Sequence, residues 1–291
     1  MSGSKTGRAV GHVSPVRPAA PSGFDLPLAR EVIERALDMA DSVRVEVVEQ
    51  TGSTNDDLLE RARVAAADQP AVRAALHQFA GRGRHGRRWH DARGRALLFS
   101  VMTRWLRDPG AATAVTLACG VAVAEALRGR GVEAKLKWPN DILFAGRKLG
   151  GILTELALDP EGGASLVVGV GVNLCLDPEQ RVAIDQPAAA LDERIAESRL
   201  ACERESWIAL LARAVLDAIE QFEQRGFEPF QARFDAMFAY AGRPVLLMRA
   251  GSEPLAGVAT GVDGEGRLLL STDAGPKAVS SGELSLRPSD A

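Results

Sequence analysis

Gly81, Gly83 and Gly86 are interleaved with Arg82, Arg84, Arg87 and Arg88, just ahead of Trp89, in the stretch 77–95. Glycine lets a backbone approach a ligand closely and take positive φ, and arginine presents a planar fork of donors to phosphate or carboxylate. A loop of this composition is mobile when empty and closes over an anion when filled. The same composition suits a solvated basic loop or an arginine patch touching nucleic acid. On this stretch alone those readings stand level with a ligand loop.

A second stretch, Lys137-Trp138-Pro139-Asn140-Asp141, leads to Arg147-Lys148-Leu149-Gly150-Gly151. Pro139 biases Trp138 toward extended backbone and stops a helix from running through the motif. Asn140 and Asp141 therefore fall at a strand end, and Lys148 follows across what reads as a tight turn at 144–147. An asparagine, an aspartate and a lysine beside a glycine-rich backbone suit acyl–phosphate chemistry. Lys148 neutralises developing charge, and Asp141 holds a metal ion or accepts a proton. For these residues in isolation a charged surface hairpin is the alternative, and Trp138 reads better as core packing than as a ligand platform. Two further stretches are weaker alone. Ser53-Thr54-Asn55 reads as a helix start, with Thr54 or Asn55 as the cap. In Gly169-Val170-Gly171-Val172-Asn173 the alternating glycines mark close approach of a backbone or ligand, and Asn173 either bonds a nucleotide or fixes a loop.

Elements that position these residues follow from periodicity. Helices are expected at 28–40, from about Asp56 onward, at 113–128 (small and apolar, buried on more than one side), at 205–223 and at 229–239. Strands are expected at 44–50, 74–80, 96–103, 135–138, 148–158 and 165–174, with 178–191 a polar surface connection. This mixture predicts an α+β fold, a mixed β-sheet with helices on one face. After Gly242, short apolar runs separated by turns such as Asp263-Gly264-Glu265-Gly266 predict a small β-barrel.

The chain's 291 residues fit one large domain and a small one, and 46% of them are hydrophobic, enough for a sizeable core. A net charge of -3, from 35 basic and 38 acidic residues, argues against a protein devoted to nucleic acid. Cys119, Cys175 and Cys202 are read as reduced thiols of a cytoplasmic protein. Four histidines without close spacing give no metal cluster. No apolar run reaches the ~18 residues of a membrane span. Residues 1–22 read as a disordered tail rather than a signal peptide.

Together, the Ser53, Gln78-to-Trp89, Lys137, Arg147 and Gly169 stretches, in this order and spacing, resemble the biotin protein ligases, and Ser281-Gly282-Glu283-Leu284-Ser285-Leu286-Arg287 resembles that family's C-terminal domain. The resemblance covers 44–288. It implies a class II synthetase-like catalytic fold at 23–240 and an SH3-like barrel at 241–291. It implies that biotin and MgATP give biotinyl-5′-adenylate, from which a lysine of a biotin carboxyl carrier protein takes the biotin. It assigns biotin to Ser53, Thr54, Asn55, Gln78, Gly81, Arg82, Gly83, Arg84, Lys148 and Gly151. The nucleotide falls to Arg82, Arg84, Trp89, Lys137, Asn140 and Asn173. Lys148, Arg84 and Asp141 are the catalytic set, with Asp141 serving Mg²⁺ or the incoming amine, and Glu283 and Arg287 lie near the nucleotide side. The short region before the first strand implies a ligase without a DNA-binding repressor domain, without specific DNA or membrane binding, acting as a monomer or homodimer. Within the same fold, a lipoate-type ligase keeps the adenylation lysine but is not expected to carry this arginine–glycine loop. An octanoyl transferase needs a cysteine nucleophile, and neither Cys119 nor Cys175 is near these motifs. A nucleic-acid-binding module would bind DNA with steep salt dependence and without ATP.

Overall fold

A computed structural model describes residues 23–39, 42–184, 186–249, 252–280 and 284–288. The tail expected at 1–22 lies outside them. In chain order the elements are α1 (Arg30–Leu37), β1 (Arg44–Thr51), α2 (Thr54–Val64), β2 (Ala71–Gln78), β3 (Ala96–Trp105), α3 (Ala112–Gly129), β4 (Lys135–Lys137), β5 (Asp141–Phe144), β6 (Arg147–Leu158) and β7 (Ala164–Asn173). They continue with α4 (Pro178–Ala183), α5 (Glu197–Arg225), α6 (Glu228–Met237), β8 (Arg243–Arg249), β9 (Ser252–Val262), β10 (Leu268–Thr272), β11 (Gly275–Val279) and β12 (Leu284–Pro288).

The first sheet has the order β1-β2-β3-β7-β6-β5-β4. Only β1 and β2 are parallel, as the α2 crossover between them requires; the other neighbours are antiparallel. Helices cover both faces, not one as the sequence suggested. On one face α2 sets Leu58, Leu59 and Ala62 against Met102, Ala157 and Val167. On the other, α3 and α5 pack on Val72, Phe99, Val101 and Val168. This explains why β3 is buried without interruption from Ala96 to Met102: a strand covered on both faces loses the apolar–polar alternation. Trp207, Ile208, Leu211, Val215, Ile219 and Phe222 form the buried stripe of α5, which starts eight residues before the periodicity alone indicated (205 − 197).

One helix corrects the reading of the apolar runs. Residues 109–129, α3 with the turn ahead of it, are long and apolar enough by length and composition to cross a membrane. Here 61% of that apolar window is buried inside the molecule, against the sheet and α5. Its many alanines let both neighbours approach, so its apolarity belongs to the core.

The C-terminal strands form a five-stranded antiparallel sheet, β11-β10-β9-β8-β12. It shares one apolar core with the first unit, Val245, Leu247, Val262 and Leu268 joining Leu136, Phe234 and Phe238, and polar bonds fix the junction. The fully buried Trp138 donates from Nε1 to the carbonyl of Gly266 at 3.1 Å. Gln231 Nε2 donates to the Val262 carbonyl at 2.8 Å, and the Val262 amide donates to Asp235 at 3.1 Å. Trp138 is thus core, as expected, and it ties the segment leading to Asp141 to the second sheet.

Burial pushes the thiols of Cys119 and Cys175 up to about 12, while Cys202 is exposed. A buried, protonated thiol is a poor nucleophile. A thiol-titrating disulfide reagent at pH 8 is therefore expected to react rapidly with Cys202 alone, and with all three cysteines after denaturation. Rapid reaction of two or more thiols in the folded protein would contradict this packing.

Candidate active site

The predicted site residues converge on one cavity of about 770 Å³, in the size range of small-molecule sites. Ser53, Thr54, Asn55, Gln78, Arg82, Gly83, Arg84, Trp89, Lys137, Asn140, Asp141, Lys148, Gly151 and Asn173 all line it. Gly81 stands behind that wall, where a side chain would meet Gln78 Nε2 at 3.1 Å and Trp89 at 3.3 Å. Glu283 falls outside the described residues, as does the side chain of Arg287 in β12.

One end of the cavity is polar and uncharged. The chain turns from β1 into α2 at Ser53, whose extended backbone occupies the cap position without a side-chain cap bond. Gln78, at the end of β2, supplies what the cap does not: its Oε1 accepts from the Thr54 amide at 2.7 Å and from Thr54 Oγ1 at 3.0 Å. The capping role expected for Thr54 or Asn55 is therefore corrected. Both point into the sheet, where the buried Ser100 joins them, with Oγ 2.7 Å from Thr54 Oγ1 and donating to Asn55 Oδ1 at 2.6 Å. Ser53 is 3% exposed, and its hydroxyl makes no hydrogen bond among the described residues.

The glycines of β7 make room for this arrangement. A Cβ on Gly169 would lie 2.3 Å from Asn55 Oδ1, and one on Gly171 would lie 2.8 Å from the Trp89 ring. The close approach suggested by the sequence is real, and its agents are two side chains of the site. Trp89 lies on the bare β7 backbone with its indole Nε1 buried and unbonded.

The arginine–glycine loop folds on itself. The Gly83 amide donates to the Arg87 carbonyl at 2.7 Å, and the Trp89 amide to the Gly81 carbonyl at 2.9 Å. Arg82, expected to clamp anions, has its fork taken up by carboxylates. It donates to both oxygens of Glu155 at 3.0 Å and through Nε to Asp56 at 3.1 Å, with a second, shorter bond to Asp56. Glu155 also accepts from Asn55 Nδ2 at 2.8 Å, so β6, α2 and the loop share one network. These bonds raise the guanidinium pKa, Asp56 most, so Arg82 is a charged latch. Burial lowers that of Arg84, with the charge of Asp141 opposing the shift.

At the other end stand Lys137, Asp141 and Lys148. β5 and β6 are joined through Ala145 and Gly146, both at positive φ (48° and 74°), a two-residue hairpin turn that sets Lys148 beside Asp141. Lys148 Nζ is 2.7 Å from Asp141 Oδ1, and Lys137 Nζ is 3.7 Å from Oδ2. Asn140 is committed to the backbone, donating to the Ile152 carbonyl at 3.0 Å. Asn173 holds a neighbouring segment through the Ala189 carbonyl at 2.9 Å, the loop-fixing option of the two considered for it.

That segment is no mere surface connection. The Lys148 amide donates to the Pro187 carbonyl at 2.9 Å and the Ala189 amide to the Lys148 carbonyl at 2.8 Å, and Ile184, Gln186, Pro187 and Ala188 line the cavity. Arg147 and Arg181 both bond the Ala188 carbonyl and Glu193, bracing it from outside. Sequence reasoning missed this segment, Glu155, Ser100 and Tyr240. Only the lone serine within Ala96–Trp105 and the lone acid within Arg147–Leu158 hinted at them.

Among the described residues Asp141 is the only carboxylate lining the cavity, and both of its oxygens face ammonium groups. Magnesium is commonly held by one or two carboxylates together with substrate phosphates and water, so Asp141 alone forms no resident cage among the described residues, and the metal role expected for it concerns an ion brought by the substrate. Elsewhere Cys175, Asp192 and Glu197 bring ligand atoms within 4.8 Å of one another.

A sheet-floored cavity with a neutral polar end and a cationic end that holds Lys148 suits a ligase that activates a carboxylic acid. Residues 47–173 match the biotin/lipoate A/B protein ligase family, and residues 240–287 match the biotin protein ligase C-terminal domain. The bifunctional ligase/repressor BirA of Escherichia coli is 33% identical over 92% of this chain and 82% of its own. The biotin–[acetyl-CoA-carboxylase] ligase of Mycobacterium tuberculosis is 34% identical over 83% and 88%. The solved biotin protein ligase of Aquifex aeolicus in complex with biotin and ATP superposes with a TM-score of 0.67 at 28% identity, covering 84% of this chain and 99% of that one. The chain belongs to the biotin protein ligase family.

If Glu155 anchors the loop through Arg82, Glu155→Gln should speed tryptic cleavage within 82–88 in the absence of ligands, and biotin with ATP should restore protection. Equal cleavage rates in the variant and the unmodified protein would show that the ion pairs do not hold the loop.

Proposed function

We propose that the chain converts biotin and ATP into biotinyl-5′-adenylate and pyrophosphate, then transfers the biotinyl group to a lysine of a biotin carboxyl carrier protein. The observation that carries this reading is the convergence of Lys148, 2.7 Å from Asp141, with Lys137 and Arg84 in the same cavity as the uncharged Ser53–Gln78 end.

In the first step a biotin carboxylate oxygen attacks the α-phosphorus and the bond to pyrophosphate breaks. Two anions must meet, and fixed cations in a cavity shielded from water lower their repulsion at no reorganisation cost. Lys148 and Arg84 serve this role, and Arg82 holds the loop that carries Arg84. The cyclic urea of biotin needs one donor and two acceptors, which suits Ser53, Thr54 and Gln78, with Asn55 and Gly81 shaping their surroundings. Gly83 and Gly151 leave space for the acyl chain and the reacting carboxyl. Trp89, Lys137, Asn140 and Asn173 border the nucleotide, together with residues 184 and 186–188. Magnesium arrives with ATP as part of the substrate.

In the second step the carrier lysine's neutral amine attacks the carbonyl, the bond to AMP breaks, and the amine gives up a proton. Asp141 is placed to hold that lysine's ammonium form and receive the proton. No protein nucleophile is needed, which agrees with Cys119 and Cys175 being buried and protonated.

The names of the relatives support an acetyl-CoA carboxylase or related carboxylase subunit as the source of the carrier. We assign catalysis to 23–240 and a supporting role to 241–291. Three unpaired cysteines support a reducing cytoplasmic setting. The net charge and the pairing of Arg82 with Asp56 and Glu155 speak against specific DNA reading, and the enclosed α3 speaks against a membrane role. The active form is a monomer or a homodimer.

The test is exchange of labelled pyrophosphate into ATP with biotin, lipoate and octanoate compared. Exchange with biotin alone supports the reading, whereas exchange with lipoate alone would move the chain to the lipoyl branch. Lys148→Ala is expected to slow biotin-dependent exchange by about a hundred- to a thousandfold at an unchanged melting temperature. Near-normal exchange in a folded variant would remove Lys148 from the mechanism.

A further inference from the structure

Part of the cavity wall comes from outside every ligand motif. Tyr240 is the chain's single tyrosine and stands between α6 and β8, where the first unit joins the C-terminal sheet. It is 9% exposed and lines the same cavity as Lys137, Asp141 and Lys148. Its position is set from both sides. The preceding residue's amide, on Ala239, donates to the Leu136 carbonyl of β4 at 2.8 Å, and the Arg243 amide donates to the Tyr240 carbonyl at 3.0 Å. The ring packs on Phe238, with centroids 6.4 Å apart and planes tilted by 57°.

The ring is buried, while the hydroxyl, which makes no hydrogen bond among the described residues and is not one of the fully enclosed polar atoms, opens into the cavity, where a ligand can supply a partner. Burial pushes its pKa up, and Asp141 adds to the rise while Arg243 opposes it, so the group is a neutral O–H donor at physiological pH. Among the described lining residues Arg84, Lys137 and Lys148 stand around Asp141 at that end of the cavity. Three cations with one neutral, directional donor suit a ligand carrying several anionic oxygens, and Ser53, Thr54 and Gln78 already supply the polar end for a neutral ring.

We propose that Tyr240 is a further substrate-contacting residue of the adenylation step, donating its phenolic hydrogen to a phosphate oxygen of ATP. This rests on the cavity being the biotin- and ATP-dependent site argued above. Its consequence is that the junction with the C-terminal sheet takes part in holding the triphosphate, beside the segment that Trp138 ties to Gly266.

A single tyrosine gives a single ¹⁹F resonance in protein labelled with 3-fluorotyrosine. In the presence of biotin, a non-hydrolysable ATP analogue and inorganic pyrophosphate should each shift that resonance, whereas adenosine or biotin alone should leave it in place. Tyr240→Phe keeps the ring packing and should raise the KM for ATP about two- to tenfold, the loss of one hydrogen bond, with the Kd for biotin unchanged. A resonance unmoved by the analogue, in a protein that exchanges pyrophosphate into ATP with biotin, would overturn the proposal and leave the site reading intact. A shift with adenosine as large as with the analogue would also overturn it, by placing the phenol on the nucleoside. Absence of any biotin-dependent exchange would remove the site reading and this proposal together.

Discussion

The arrangement depends on confining like charges. Arg82, Arg84, Arg87, Arg88, Lys137 and Lys148 face one cavity, and cations at such spacing repel one another strongly wherever water is partly excluded. Three carboxylates make the arrangement stable. Asp141 stands between Lys148 and Lys137, while Asp56 and Glu155 take up the fork of Arg82. The pairing is uneven, and that matters for chemistry. It takes up the fork of Arg82 at the latch of the loop and sets Lys148 and Lys137 on either side of Asp141 at the end where a carboxylate and a phosphate have to approach each other.

The fold serves this confinement by making the floor rigid and thin. β6 and β7 run antiparallel beneath the cavity, packed by α2 on one face and by α3 and α5 on the other. Because Gly169 and Gly171 carry no side chain, Asn55 and Trp89 lie directly on the β7 backbone. Asn55 then reaches Glu155, which holds Arg82, so the polar end and the loop latch share one chain of hydrogen bonds. A ligand that orders the loop therefore acts on a network already anchored in the sheet, which suits a site that must keep a reactive anhydride from water.

Much of this was legible in the sequence, and what was not has a common cause. Glycine, arginine, lysine and proline act through local backbone and charge, but each stretch alone read as well as a surface feature, and it was the family resemblance that put Gly83, Arg84, Asp141 and Lys148 in one pocket. The strands could be placed as well, because their apolar runs and turns are local. The partners that give those residues their roles lie far along the chain. Gln78 satisfies the amide of Thr54 across 24 positions, and Glu155 reaches Asn55 across 100. A serine-threonine-asparagine run beside a helix start reads locally as a cap, and only the tertiary arrangement turns its side chains inward. The segment around Ala188 read as surface because it is polar and proline-containing, yet it pairs with Lys148. The small apolar run placed α3 to within a residue at each end, but the periodicity missed the first eight residues of α5, and the unbroken apolar run of β3 was the one local sign that helices cover both faces.

The central claim is that this cavity makes and shelters a mixed anhydride. The most direct measurement mixes the protein with biotin and MgATP in the absence of any acceptor, removes free ligands by rapid gel filtration, and identifies what stays bound by mass spectrometry. The expected result is about one equivalent of biotinyl-5′-adenylate per active site, retained far longer than the free anhydride survives in water. Recovery of unreacted biotin and ATP alone, or of an adenylate that hydrolyses as fast as the free compound, would contradict it.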